Sequence, residues 1–411
     1  MKHPDYREIA KRFRHNDAWS DTVPLSYADE NVDLYYLEHR SRHASYLMGQ
    51  EGYVCPEHGL EFPAEPTIGE PIDCRIEENS VFRFPLLREH STGPLRKHDH
   101  VVILLHGLNE RSFTKYIPWA YQIWTNAQIP VAMFPLPFHI NRVRREWAEE
   151  QQDMYRRRQE IPGNEFAHRF NAVISERLGV HPERFIWGAL QAYWDLIDLV
   201  AEIRAGRHPH FTADARVDVL GFSAGGYVAL ALLLENHRGW FAQSRGVIFA
   251  SCAAIRDVNL SSILILDHAA EVALMKMYVK YRDKMMSGRC KHWLEHHSEA
   301  SWFNAFLGLM PNRARLDARL KELAPRLLAI AGTEDQVMPA GAMMNALQGI
   351  RRDTGVQLLE LPLGIHENPF SCPDYGQRER AMITEFLDIE RYGSAFDSFL
   401  EKACAHYGAR P

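Results

Sequence analysis

The residues best spaced for chemistry in this 411-residue chain are Gly221-Phe222-Ser223-Ala224-Gly225-Gly226. They follow an apolar run at 217–220 and precede a helical run at 227–234, so a strand is expected to turn sharply into a helix at Ser223. Glycines at 221 and 225 remove Cβ atoms that would collide in such a turn, and the Ser223 hydroxyl is left exposed at the carboxyl edge of a sheet. The helix start brings free N–H groups and a positive dipole end, both favourable to a developing oxyanion. Taken alone the pentapeptide also fits an ordinary tight turn. Its strand–turn–helix setting favours a nucleophile.

A serine hydroxyl attacks poorly near neutral pH unless a base takes its proton and an acid orients that base. Two later loops carry such groups. Gly332-Thr333-Glu334-Asp335 follows the apolar run 327–331, and His366 follows the run 356–361, so both fall at strand carboxyl ends in the order Ser, Asp, His. Asp257, soon after the run 246–250, and Glu334 are rival acids; the Gly-x-x-Asp loop favours Asp335.

Elements that position these groups are legible as periodicity. Six compact aliphatic runs, at 101–105, 130–134, 217–220, 246–250, 327–331 and 356–361, alternate with amphipathic helical stretches at 166–178, 185–204, 226–236 and 340–348. That alternation predicts an α/β fold with a mostly parallel, doubly wound sheet covered on both faces. Ahead of it, helical fragments are expected at 6–15 and 32–48 and short strands at 72–77 and 81–85.

With Ser223, Asp335 and His366 so placed, the chain resembles the α/β-hydrolase superfamily over about residues 72–390. That resemblance implies an α/β-hydrolase fold with a nucleophile turn after the fifth strand, the acid after the seventh and the histidine after the eighth. His106-Gly107-Leu108-Asn109 is similar to the family's HG-x loop, which implies an oxyanion hole built from the backbone N–H groups of Leu108 and Ala224. The implied activity is a serine hydrolase that cleaves a carboxylic ester or related acyl bond through an acyl-enzyme, without a cofactor. Amide, peptide or carbon–carbon bonds, or a fold kept only for binding, are the alternatives the residues leave open.

The expected organisation is an N-terminal extension with edge strands over 1–99, a hydrolase core over 100–255 and 325–411, and a helical cap over 256–324. Phe138, His139 and Arg142, in the proline-stiffened loop after the second run, would line a substrate pocket or bind an anion, or simply pack at the rim. Met275, Met277, Met285 and Met286 would cover an acyl chain or serve as plain helix core. His106 is expected to shape its loop.

No metal is expected. Cys290, His292, His296 and His297 form the best metal-like group, yet no Cys-x-x-Cys pair or acidic ligand set accompanies them, and Cys55-Pro56-Glu57-His58 is weaker still. A net charge of −6, with basic runs at 142–145 and 156–158 interleaved with acids, argues against a nucleic-acid partner. The longest uncharged apolar stretch, 219–234, is too short to span a bilayer. Scattered cysteines and the lack of a secretory h-region favour a cytoplasmic location. Oligomeric state is left open.

Overall fold

Val101, Ile103 and Leu105 pack on one face of a strand and Val102 and Leu104 on the other, which requires apolar layers on both sides of the sheet. A computed structural model describes residues 32–43, 53–55, 57–63, 73–91, 96–282, 288–306, 313–349, 351–363, 366–367, 369–370 and 389–408. Eight strands form the main sheet: β1 (Val32–Arg40), β4 (Val81–Glu89), β5 (His98–Leu105), β6 (Val131–Phe134), β7 (Phe211–Phe222), β8 (Gly246–Phe249), β9 (Leu327–Gly332) and β10 (Gln357–Leu361). A separate two-stranded hairpin pairs β2 (Tyr53–Val54) with β3 (Glu61–Phe62).

The sheet order is β1-β4-β6-β5-β7-β8-β9-β10. β1 and β4 are antiparallel, as are β4 and β6, and every later pairing is parallel. The chain crosses from β6 on one side of β5 to β7 on the other, and such a reversal opens a crevice at the strands' carboxyl ends. This is the α/β-hydrolase fold.

Helices follow the order α1 (Glu77–Ser80), α2 (Ile117–Ala127), α3 (Trp147–Gln159), α4 (Ala172–Val180), α5 (Arg184–Arg204) and α6 (Ala224–Glu235). Then come α7 (His268–Arg282), α8 (Gly288–His296), α9 (Ser298–Phe306), α10 (Arg313–Leu323), α11 (Ala340–Leu347) and α12 (Ile389–Tyr407). α2 and α12 cover one sheet face around the buried Trp119, and α5 and α6 cover the other.

Two expectations for the N-terminal part fail. Residues 32–40 are a strand rather than a helix: Val32, Leu34 and Tyr36 face one core while Tyr35 and Leu37 face the other, a period of two stabilised by pairing with β4. Residues 73–75 form a 3-10 turn and α1 begins at Glu77, where a strand was expected over 72–77. Asp73 is drawn inward there by Arg177 at 2.9 Å and Arg184 at 2.7 Å. The helical fragment expected at 6–15 lies outside the described residues.

Candidate active site

β7 ends at Phe222 and α6 starts at Ala224, which leaves Ser223 alone in the turn with φ 50° and ψ −122°. A non-glycine residue at positive φ is strained, so surrounding structure must hold it. Two close approaches do so. A Cβ on Gly225 would lie 2.4 Å from the Leu105 carbonyl oxygen, and one on Gly221 would lie 2.5 Å from the Gly226 Cα. The Gly225 N–H donates to the His106 carbonyl at 2.9 Å and the Ser223 N–H to that of Phe249 at 3.0 Å, locking the turn to β5 and β8.

The hydroxyl of Ser223 lies 2.8 Å from His366 Nε2, and His366 Nδ1 lies 2.8 Å from Asp335 Oδ2. A carboxylate only accepts, so Nδ1 carries the proton toward Asp335 and Nε2 is left to accept from the serine. The second Asp335 oxygen accepts from the N–H groups of Val337 at 2.9 Å and Met338 at 2.8 Å, which fixes the carboxylate's orientation. All three side chains are buried, and the Phe222 ring stacks on the imidazole at 5.2 Å. Asp257 is half-exposed beside Arg256, and Glu334 is held through its backbone to Leu363. The histidine takes Asp335 as its partner.

The loop after β5 lies against the turn, since a Cβ on Gly107 would sit 3.3 Å from the Ser223 Cβ. Among the described residues, neither the Leu108 nor the Ala224 N–H has a protein acceptor, and both residues line a cavity of about 180 Å³. His106 shapes this loop: it accepts from the Leu136 N–H at 2.8 Å through Nε2 and donates to the Gly107 carbonyl at 2.7 Å through Nδ1. Burial drives its pKa well below the ordinary histidine value and keeps it neutral.

Three further residues complete the frame. Asn109, at φ 60°, donates to the carbonyls of Phe170 at 2.8 Å and Leu264 at 2.7 Å, and so ties the loop both to the long connection 135–216 between β6 and β7 and to the 256–324 segment. Lys115 pairs with Glu110 and donates to the Glu367 carbonyl at 2.8 Å, next to the histidine. The Tyr116 hydroxyl accepts from the Gly107 N–H at 2.9 Å and donates to Glu110.

The cavity walls are mainly apolar and come largely from the 135–216 crossover, through Phe138, Trp147 and Phe185, with Phe303 and Phe306 added from α9. Phe138 and His139 line it. Burial lowers the His139 pKa to about 4, so the ring presents no cation.

Arg142 requires a correction. It lies fully buried behind the wall, donates to Asp195 at 2.8 Å and to the backbone of Asn79 and Pro135, and covers the Phe82 ring at 3.9 Å. Its guanidinium is satisfied by Asp195 and backbone carbonyls, and it does not line the cavity. For the methionines the helix-core reading applies: Met277 is buried in the core and Met275 is partly buried against it, while Met285 and Met286 lie outside the described residues. Of the metal-like group, the structure brings His292 and His297 together with Cys55 and His58, and His296 lies beside them with its ring centre 5.1 Å from that of His292.

Solved structures with similar architecture include an esterase from Pseudomonas putida ECU1011, at 10% identity, covering 100% of this chain and 92% of that one, with a TM-score of 0.40. A hyperthermophilic esterase from the archaeon Pyrobaculum calidifontis shares 11% identity over 80% of each chain, with a TM-score of 0.42. Carboxyl esterase 2 from the mycorrhizal fungus Tuber melanosporum shares 11% over 96% of this chain and 90% of that one, with a TM-score of 0.40. Likeness at this level bears on no residue's role. No curated protein matches the sequence. A family of unknown function (DUF6051) matches residues 4–400, nearly the whole length, and the chain belongs to that family.

Proposed function

We propose that the protein is a serine hydrolase acting on a carboxylic ester or related acyl bond. The observation that carries this reading is the continuous pair of 2.8 Å contacts from Ser223 through His366 to Asp335. In the reaction, His366 Nε2 takes the Ser223 proton as Oγ attacks the carbonyl carbon. The Leu108 and Ala224 amides hold the negative oxygen, and Asp335 stabilises the imidazolium. His366 then returns its proton to the leaving alkoxide, and the acyl-enzyme is hydrolysed by water activated through the same imidazole.

A cavity of about 180 Å³ walled by Phe138, Phe185 and Phe303 favours a small molecule with an apolar acyl or alcohol part. Residues 100–255 and 325–411 serve as the catalytic body and 256–324 as a helical cap, with the 135–216 crossover supplying most of the wall. No helix among the described residues is long and apolar enough to cross a membrane. Cys55, Cys74, Cys252, Cys290 and Cys404 form no disulfide with one another, and a reducing cytoplasm is the proposed location.

The test is steady-state hydrolysis of nitrophenyl esters from acetate to decanoate by the wild type and Ser223→Ala. Turnover that peaks at one acyl length and vanishes in the variant supports the reading. No turnover of any ester by the wild type, with the fold intact by circular dichroism, overturns it.

A further inference from the structure

Cys55 and His58 sit at the tip of the β2–β3 hairpin, and His292 and His297 sit on α8 and just beyond its end. Nothing in the proposed hydrolysis uses them, and none of the four lines the cavity. Yet one ligand atom from each lies within 4.8 Å of all the others.

We propose that Cys55, His58, His292 and His297 form a Cys-His3 metal site that holds a zinc ion and staples the N-terminal hairpin to the helical insertion.

The distances favour an ion. The Cys55 sulfur lies 3.5 Å from His58 Nδ1 and 3.3 Å from His297 Nε2. A tetrahedral ion with Zn–S of about 2.3 Å and Zn–N of about 2.0 Å separates such ligand pairs by about 3.5 Å. His292 is 6% exposed, and its Nε2 is buried with no hydrogen-bond partner, a costly arrangement for a polar ring atom. Three imidazoles meeting edge to face, with His58 at 5.0 Å from His292 and 4.8 Å from His297 between ring centres, form a donor set with lone pairs and no partner cation among the described residues.

The surroundings are those of a metal ligand shell. Cys55 is fully buried, and its turn closes through the Gly59 N–H to the Cys55 carbonyl and the Cys55 N–H to the Leu60 carbonyl, both at 2.8 Å. That turn aims two side chains three residues apart at one point. On the other side, His297 Nδ1 lies 3.0 Å from the Glu57 carboxylate and 3.6 Å from that of Glu299, near both but without hydrogen-bond geometry, so acceptors stand behind the ring that a bound ion would orient. Trp293 stacks on His297 at 3.6 Å and closes the site from that side.

Thiolate and imidazole donors in fourfold geometry suit Zn²⁺ rather than Mg²⁺ or Ca²⁺. Binding releases the Cys55 thiol proton to solvent and leaves a Zn–S bond; no electron is transferred. Four protein ligands fill a tetrahedral ion, so the site is structural and offers no open position for a substrate. Its effect on the cavity is indirect, because α8 leads directly into α9, which carries Phe303 and Phe306.

The test uses the purified full chain, stripped with a chelator, then incubated with Zn²⁺ or Co²⁺ and desalted. Elemental analysis should find one zinc per chain in the wild type and in Cys290→Ser. The Co²⁺ form should show tetrahedral d–d bands and a sulfur-to-cobalt charge-transfer band that Cys55→Ser lacks. His58 is exposed and its replacement spares the core, so His58→Ala should stay folded and bind Zn²⁺ at least about tenfold more weakly. Zinc should raise the wild-type Tm and leave that of His58→Ala nearly unmoved. Far less than one zinc per chain after reconstitution, or equal zinc in wild type and His58→Ala, would overturn the proposal. Ser223→Ala keeps the site, so loss of the hydrolase reading and loss of this one are separate results.

Discussion

The rim that carries Ser223 and the walls around it are held together by different forces. At the rim, backbone touches backbone: Gly225 presses on the Leu105 carbonyl, Gly221 on Gly226, and the loops of Asp335 and His366 are joined through Thr333 and Glu334 to Leu361 and Leu363. In the walls, buried charges touch. Arg158 donates to both oxygens of Asp267 at 2.7 and 2.6 Å, Arg142 pairs with Asp195, and Asp73 receives both Arg177 and Arg184. Backbone packing has one geometry and resists change. A buried ion pair holds its elements only while both partners are present, so the walls depend on paired side chains where the rim depends on main-chain contact.

The sharpest break in that contrast comes from the rim. Asp335→Asn should lower kcat by about 10⁴-fold, because the amide no longer fixes the histidine tautomer, while Tm moves little. Asp257→Asn should leave kcat unchanged, and the reverse pattern in ester kinetics would identify the other carboxylate as the orienting acid.

In the walls the same kind of substitution should do the opposite. Asp267→Asn strands Arg158 in a buried site and should cost about 3–5 kcal/mol of stability, read by urea unfolding. Below the new melting temperature, kcat on a short ester should stay within a few-fold of wild type.

Proton uptake sharpens the comparison further. Burial lowers His139 and His208 to about 4, against an ordinary value near 6.5. Below pH 6.5 the unfolded chain therefore binds more protons than the folded one. The stability these rings contribute is complete above 6.5 and is lost as pH falls toward 4. Urea midpoints should drop between pH 7 and pH 5, and His208→Gln should flatten that slope.

The smallest effect concerns the far wall. Phe303→Ala should raise KM for the longest ester it accepts by about tenfold and leave the acetate nearly unchanged, since one aromatic wall is lost and the rim is untouched. A uniform fall in kcat across the series would mean that α9 supports the rim itself.

These two regions also differ in how far the sequence discloses them. Buried strands such as 101–105 and 327–331 are readable because both faces are apolar, and the loops of Ser223, Asp335 and His366 follow them at once. The meeting of those three side chains is therefore foreshadowed by short segments. β1 misleads because its apolar residues serve two cores at once, and a nearly unbroken run reads as a helix until β4 is known to pair with it. Arg142 misleads because its loop leaves the carboxyl edge, while its guanidinium turns back to Asp195 on α5. The two halves of the Cys-His group show in a linear reading as separate fragments, but their meeting does not: each half supplies two ligands, and Cys55 and His297 are 242 residues apart. Asn109 closes the His106-Gly107-Leu108-Asn109 segment, but only the carbonyls of Phe170 and Leu264 reveal its part.

The central claim is that the Ser223 hydroxyl is a nucleophile activated by His366. It is tested most directly by treating wild type, Ser223→Ala and His366→Ala with a fluorophosphonate and measuring intact mass. The expected result is one phosphonyl adduct on the wild type, mapped to the peptide containing Ser223, none on Ser223→Ala, and labelling of His366→Ala slowed by several orders of magnitude. Equal labelling of all three proteins would contradict the claim.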